Sequence, residues 1–188
     1  MITGHLGIAA AVHTSRRDSS LVWLLGASMA PDVVDAGFVL ARSCNPHGLY
    51  SHTLPAAALI AAVTGAAAFL ATSHRATGLL AALLVLTHLP LDFVTGHKLF
   101  WPGGELSGLR LYDWPAVDFV LEAALVAAGW WALRARSSPP RRAPTWATRW
   151  ATTWAALAAL LLVQGAMDIA GRGRGGVKPT WCAQQPAR

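Results

Sequence analysis

Long apolar segments separated by short polar stretches make up most of the chain. Five of them have close to the roughly 20 residues that a helix needs to cross the hydrocarbon core of a bilayer, and these lie at residues 21–40, 54–72, 76–94, 116–133 and 150–170. A shorter apolar segment, 2–13, predicts a further helix or half-helix embedded in the membrane. The pattern therefore predicts an all-α fold, a polytopic membrane helix bundle with about five transmembrane helices and a short N-terminal membrane-embedded helix.

The composition supports a membrane protein. Of the 188 residues, 54% are hydrophobic and 13% are charged, against roughly 25% charged residues in an ordinary soluble domain. This excludes a disordered chain, a coiled coil and most soluble folds. The net charge of +6 does not indicate a nucleic-acid face, because the cations lie between the apolar segments, where they suit lipid headgroups. The expected partner is the lipid bilayer, and no nucleic acid is expected.

The chain divides into one domain and a tail. Residues 1–170 form a single predicted transmembrane domain, and the Gly/Arg-rich residues 171–188 predict a poorly ordered tail. Cys44 and Cys182 are far apart in sequence and form no CxxC motif. They predict neither a disulfide framework nor a cysteine zinc site.

Most of the acids fall within the apolar segments. If the side of the membrane that holds residues 14–20 is called side A, five crossings bring the embedded acids together on the opposite side, side B. The same threading brings four histidines to side B, provided that residues 2–13 enter from there. Ionisable groups are costly in a bilayer and usually mark function. The acids are Asp32, Asp35, Asp92, Asp118, Glu122 and Asp168, and the histidines are His5, His47, His52 and His88.

The spacing of these residues indicates metal binding. His88 and Asp92 are four residues apart, and Asp32 and Asp35 three apart, so each pair lies on one face of a helix. Pro90 should kink its helix. Broken helices within a membrane are tolerated where they line a cavity. Histidine and aspartate without a thiolate make zinc the first expectation, with manganese or iron as alternatives.

Several residues keep two interpretations. Asp118 and Glu122 either orient the histidines or belong to the start of their helix, which follows Asp113 and Pro115. Asp168 is expected at the membrane interface rather than on a metal. Packing roles are expected for His13, His74 and His97.

A set of short motifs follows one another in a specific order. They are Gly4-His5, Pro31-Asp32-Val33-Val34-Asp35, His47-Gly48-Leu49-Tyr50-Ser51-His52-Thr53, Thr87-His88-Leu89-Pro90-Leu91-Asp92 and Phe100-Trp101-Pro102. Over roughly residues 1–125 the chain resembles the YdjM-like family of membrane-bound, metal-dependent hydrolases, some of them described as LexA-regulated. The resemblance implies a polytopic inner-membrane protein with a His/Asp metal centre. By matching position, the implied metal ligands are His5, Asp32, Asp35, His47, His52, His88 and Asp92, with Glu122 as a further site residue.

These observations predict metal-assisted hydrolysis. A divalent metal would activate water, and Asp35 or Glu122 would accept the proton as the catalytic base. A site near the headgroups suits a lipid phosphodiester or another amphiphilic ester as substrate. The alternatives are a small ion or proton transporter and a non-catalytic protein with a structural metal site. The dense basic loop at 134–149 favours side A as cytoplasmic, which predicts an outward-facing site.

Overall fold

The computed structural model describes residues 3–16, 18–136, 154–155, 157–162 and 165–166. Its fold is helical, with one short hairpin after the sixth helix. Strands β1 (Lys98–Leu99) and β2 (Leu106–Ser107) pair antiparallel, with Lys98 opposite Ser107. Short 3₁₀ turns lie at Pro46–Gly48 and Leu111–Asp113. The α-helices are α1 (Thr3–Ser15), α2 (Leu21–Ala27), α3 (Ala30–Leu40), α4 (Leu54–Thr72), α5 (Arg75–Leu86), α6 (His88–Thr95) and α7 (Pro115–Arg136).

Three stretches of the described chain are long and apolar enough to cross a membrane, namely Leu54–Thr72, Arg75–Thr95 and Pro115–Ala135. The pair α2 and α3 adds a fourth only if the two are taken as one bent span. The predicted helical membrane bundle is confirmed, whereas the number of five crossings stays a prediction. The predicted fifth segment, 150–170, lies partly outside the described residues, and its described parts are helical. The predicted tail at 171–188 and Asp168 lie wholly outside them.

The first predicted span, 21–40, consists of two helices instead of one. Helices α2 and α3 meet at an angle of 55°, and Pro31 lies in the first turn of α3. Proline has no backbone N–H, so the carbonyl four residues earlier loses its helical partner at this point. The break places Asp32 in the first turn of α3, with Asp35 one turn further along.

The third predicted span, 76–94, is interrupted, and the kink predicted at Pro90 stays a prediction. The interruption lies about one turn before Pro90, at Thr87, where α5 ends and α6 begins. This offset follows from the chemistry of proline, since the missing N–H would have bonded the carbonyl of Leu86. His88 is therefore the first residue of α6.

Glycines allow the helices to pack closely. A Cβ on Gly65 of α4 would lie 2.9 Å from the carbonyl oxygen of Gly78 in α5, and a Cβ on Gly78 would lie 2.8 Å from that of Gly65. Between α1 and α7, a Cβ on Gly7 would overlap the carbonyl of Leu125, and one on Gly129 would overlap the carbonyl of Gly7. Without side chains between them, such backbones gain van der Waals contact, as in other membrane helix pairs.

Helices α1 and α7 run parallel. Thr3 contacts Glu122, while Gly7, one turn later, abuts Leu125 and Val126. The first turn of α1 therefore lies near the beginning of α7, in agreement with the predicted entry of residues 2–13 from side B. This direction brings His5 to the end of the bundle that holds the acids.

Cys44, in the loop between α3 and α4, is disulfide-bonded. The expectation of no disulfide was therefore wrong. It rested on the separation of the cysteines along the sequence, and this separation does not limit how closely two side chains approach in a folded chain.

Candidate metal centre

Asp32, His52 and His88 form the centre of the site. Each offers one ligand atom, and these atoms all lie within 4.8 Å of one another. Oδ2 of Asp32 is 3.4 Å from Nε2 of His88, and Oδ1 of Asp32 is 3.6 Å from Nε2 of His52. The three residues come from the first turn of α3, the turn before α4 and the start of α6. The breaks in the first and third predicted spans thus place two of the three groups.

Burial differs between the members of this group. The side chains of His52 and His88 are each 1% exposed, whereas that of Asp32 is 27% exposed. The imidazoles are therefore fixed by packing, and the side of the site formed by α3 is its open side.

Asp92 faces the same space from α6. Its Oδ2 lies 3.3 Å from Nε2 of His52, and the side chain is 6% exposed. Neither of these two buried atoms has a hydrogen-bond partner within the described chain. Buried polar atoms normally have one, and a divalent cation held by Nε2 of His52, together with the water that such a cation carries, would satisfy both. The residues present therefore fit a metal, and their nitrogen and oxygen donors suit zinc, manganese or iron.

Asp35 lies on the opposite edge of the His52 ring. Its Oδ2 is 3.4 Å from Nδ1 of His52, and its Oδ1 accepts hydrogen bonds from Ser51 Oγ and, at 2.5 Å, from Nδ2 of Asn45. The carboxylate is thus engaged with Nδ1 and its neighbours, away from the Nε2 side that faces Asp32 and Asp92. The predicted ligand role of Asp35 stays a prediction.

His5 packs against the centre. Its ring stacks on that of His88, with 3.7 Å between the centroids and 25° between the planes. Both side chains are buried. The structure therefore brings His5 to the site, although His5 does not belong to the compact group of three.

The carboxylate of Glu122, a residue of α7, contacts the first turn of α1. Its Oε2 accepts hydrogen bonds from the backbone N–H of Thr3 at 3.0 Å, the Thr3 hydroxyl at 2.9 Å and the backbone N–H of Gly4 at 3.2 Å. A carboxylate at this position satisfies free amides and opposes the positive end of the helix dipole. Asp118, one turn earlier on α7, is also buried. This geometry favours an anchoring role for Glu122, and its role as base stays a prediction.

His47 is not brought into the group. It lies in the 3₁₀ turn before α4 with a left-handed backbone, φ 54° and ψ 24°, and its side chain is exposed. Sequence reasoning, in turn, missed Asn45, Ser51 and Thr3. The signal for Ser51 was its position directly before His52, whereas the partner of Thr3 could not be found from spacing.

Comparison with known protein families decides where the chain belongs. The family model described as YdjM inner membrane protein matches residues 1–170. The chain belongs to the YdjM inner membrane protein family. It is accordingly an inner-membrane protein, as its apolar helices also indicate. No curated protein and no solved structure matches it significantly.

Proposed function

We propose that this YdjM-family protein is a membrane-embedded, metal-dependent hydrolase. The observation that carries the proposal is the group formed by Asp32, His52 and His88, whose ligand atoms lie within 4.8 Å of one another. One carboxylate and two imidazoles form a three-ligand set of the kind found in hydrolytic zinc sites, which leave a fourth position open.

Each residue of the site has a role in this proposal. Asp32, His52 and His88 would hold the cation, which, when bound, polarises the scissile group and makes water acidic enough to react. Asp92 is the carboxylate that faces the same space, with Oδ2 3.3 Å from His52 Nε2, and we assign it the acceptance of the proton from the reacting water. This assignment replaces Asp35 and Glu122 as base, because both carboxylates are held by other hydrogen bonds.

The surroundings support an amphiphilic substrate. Trp101 and Trp114 are exposed in the loop between α6 and α7, and Trp131 is exposed near the other end of α7. Tryptophan rings favour the membrane–water interface. Trp114 and Trp131 stand about 25 Å apart along a helix, close to the roughly 30 Å thickness of the hydrocarbon core. A site near the start of α7 would then lie close to the headgroups, where a lipid phosphodiester or another amphiphilic ester could reach it.

An outward-facing site is part of the proposal. Cys44, which precedes His47 in the same loop, is disulfide-bonded, and disulfides persist in oxidising compartments such as the bacterial periplasm. The basic residues of 134–149 would then be cytoplasmic, in keeping with the positive-inside rule. Both features favour hydrolysis on the outer side of the inner membrane.

Activity can be tested on detergent-purified protein loaded with zinc, using mixed micelles of a phosphodiester phospholipid and a set of amphiphilic esters. We expect metal-dependent turnover that disappears in Asp32→Asn and His52→Ala. Glu105→Gln, a change in the exposed loop between the two strands, is the control and should retain turnover. Metal retained without turnover on any ester would instead support a structural metal site. Zinc-dependent ion flux across vesicles, again without hydrolysis, would support the transporter alternative.

A further inference from the structure

The two ring nitrogens of His52 face different partners. Nδ1 lies 2.7 Å from Ser51 Oγ and 3.4 Å from Asp35 Oδ2. Nε2 lies 3.3 Å from Asp92 Oδ2 and 3.6 Å from Asp32 Oδ1. A neutral imidazole carries its proton on one nitrogen only, and a metal binds the other. The position of that proton therefore decides whether Nε2 can bind a cation between Asp32 and Asp92.

Asn45 fixes the direction of the hydrogen bonds on the Nδ1 side. Its Oδ1 accepts the backbone N–H of Tyr50 at 2.8 Å, and this contact orients the side-chain amide. Its Nδ2 then donates to Asp35 Oδ1 at 2.5 Å and to Ser51 Oγ at 3.0 Å. Both amide hydrogens of Asn45 are used, and neither Asp35 nor Ser51 donates to it.

Ser51 has a single hydroxyl hydrogen to donate. Two acceptors lie within its reach, the carboxylate of Asp35 and, further away at 3.4 Å, the carbonyl of Gly48. The carboxylate is the nearer of the two, and an ionised carboxylate can only accept. The hydroxyl hydrogen therefore goes to Asp35. Toward Nδ1 of His52 the oxygen of Ser51 can act only as acceptor, so Nδ1 carries the imidazole proton. The lone pair of Nε2 is then directed to the Asp32 and Asp92 side.

We propose that Asn45, Ser51 and Asp35 are positioning residues that keep His52 protonated at Nδ1 and its Nε2 free to bind a cation. The inference rests on the proposed function for what Nε2 binds, whereas the proton assignment stands on the hydrogen bonds alone. Metal-binding histidines commonly donate their second nitrogen to a carboxylate or another acceptor, and this fixes the ring and its tautomer. Asp35 acts here through His52 rather than as a ligand.

Gly48 completes the arrangement. Its φ of +76° lies in the left-handed region, and a Cβ at this position would lie 3.0 Å from Nδ1 of His52. The backbone N–H of His52 also donates to the carbonyl of Gly48 at 2.7 Å. A residue without a side chain is therefore needed for the loop to pass over the Nδ1 edge of the ring.

The proton assignment can be tested without metal by histidine ¹⁵N NMR on the detergent-solubilised full chain. With the pH raised until the ¹⁵N shifts of His52 show a single ring proton, we expect that proton on Nδ1, with the signal assigned by its loss in His52→Gln. In Asp35→Asn the new amide can donate to Ser51, which frees the hydroxyl hydrogen for Nδ1 and favours the Nε2–H form. Ser43→Ala, in the same loop with an exposed side chain, should leave the spectrum unchanged. An Nε2–H form in the unaltered protein would overturn the inference.

Zinc affinity, measured by competition with a chelator, provides the second test. Removal of a group that orients a metal ligand typically weakens metal binding about 10–100-fold. We expect zinc affinity to fall by this factor in Ser51→Ala and by at least as much in Asp35→Asn. Ser43→Ala should bind zinc as the unaltered protein does. Unchanged affinity in Ser51→Ala beside a loss in Asp35→Asn would overturn the inference and make Asp35 a direct ligand. An unaltered protein that binds no zinc but gives the expected NMR result would support the positioning while refuting the proposed function.

Discussion

The imidazole rings of His5 and His88 stack with 3.7 Å between their centroids. His5 belongs to the first turn of α1 and His88 begins α6, so the contact joins the N-terminal helix to the break between α5 and α6. Because both rings are buried, the contact limits the rotation of His88 and helps to hold its Nε2 toward Asp32.

Removal of this contact should weaken metal binding. We expect His5→Ala to lower zinc affinity about tenfold, in the range of other changes to groups that orient ligands, and His5→Phe to retain most of the affinity because a ring still packs on His88. The measurement is chelator competition, with His13→Ala on the same helix as control. A comparable loss in His5→Phe and His5→Ala would contradict the packing role and support His5 as a ligand.

The contact between Glu122 and the start of α1 predicts a stability effect. Glu122→Gln removes the charge that opposes the helix dipole and keeps only one oxygen acceptor. We therefore expect the free energy of unfolding to fall by about 1–3 kcal/mol, with a lower apparent Tm in detergent. Glu105→Gln, on an exposed loop, should leave Tm unchanged. Zinc-dependent turnover should persist in Glu122→Gln, and its complete loss without a change in Tm would instead identify Glu122 as the base.

The close approach of α1 and α7 predicts a second stability effect. In Gly7→Ala the added Cβ overlaps the backbone of Leu125 and Val126. Because the backbone of a packed helix cannot shift without losing other contacts, we expect the free energy of unfolding to fall by about 1–3 kcal/mol. Gly26→Ala is the matched control, because a Cβ there meets nothing within 4 Å. Equal thermal stability of the two variants would argue against the packing of α1 on α7.

The disulfide at Cys44 predicts the redox state of the loop beside the site. In protein purified without reductant, we expect the peptide containing Cys44 to resist alkylation and to react only after reduction. Mass spectrometry of the alkylated peptides measures this directly. Rapid alkylation of Cys44 before reduction would contradict the disulfide and remove one support for an outward-facing site.

Hydropathy predicted much of the fold, because the length of an apolar segment is set by the thickness of the bilayer. Alternate crossings then placed Asp32, Asp92 and Glu122 at one end of the bundle, without any knowledge of packing. The bend between α2 and α3 was not predicted, although Pro31 marks it, because the apolar residues on both sides of Asp32 and Asp35 together have the length of a single span.

The site was predicted less completely than the fold. Spacing brought His88 and Asp92 onto one helix face, but it could not show that Asp35 meets Nδ1 of His52 while Asp32 meets Nε2. That difference depends on how the loop before α4 turns the ring, and hence on Gly48 and Ser51. For the same reason the motif that contains His47 and His52 gave no indication that His47 would be exposed.

The central claim is that Asp32, His52 and His88 bind a metal ion, and metal content tests it most directly. Elemental analysis of detergent-purified protein after equilibration with zinc and removal of excess metal should give stoichiometric zinc in the unaltered chain. His74→Ala, a change in an exposed histidine before α5, should retain that zinc, and His88→Ala should lose it. Zinc retained in His88→Ala at the level of the unaltered chain would contradict the account.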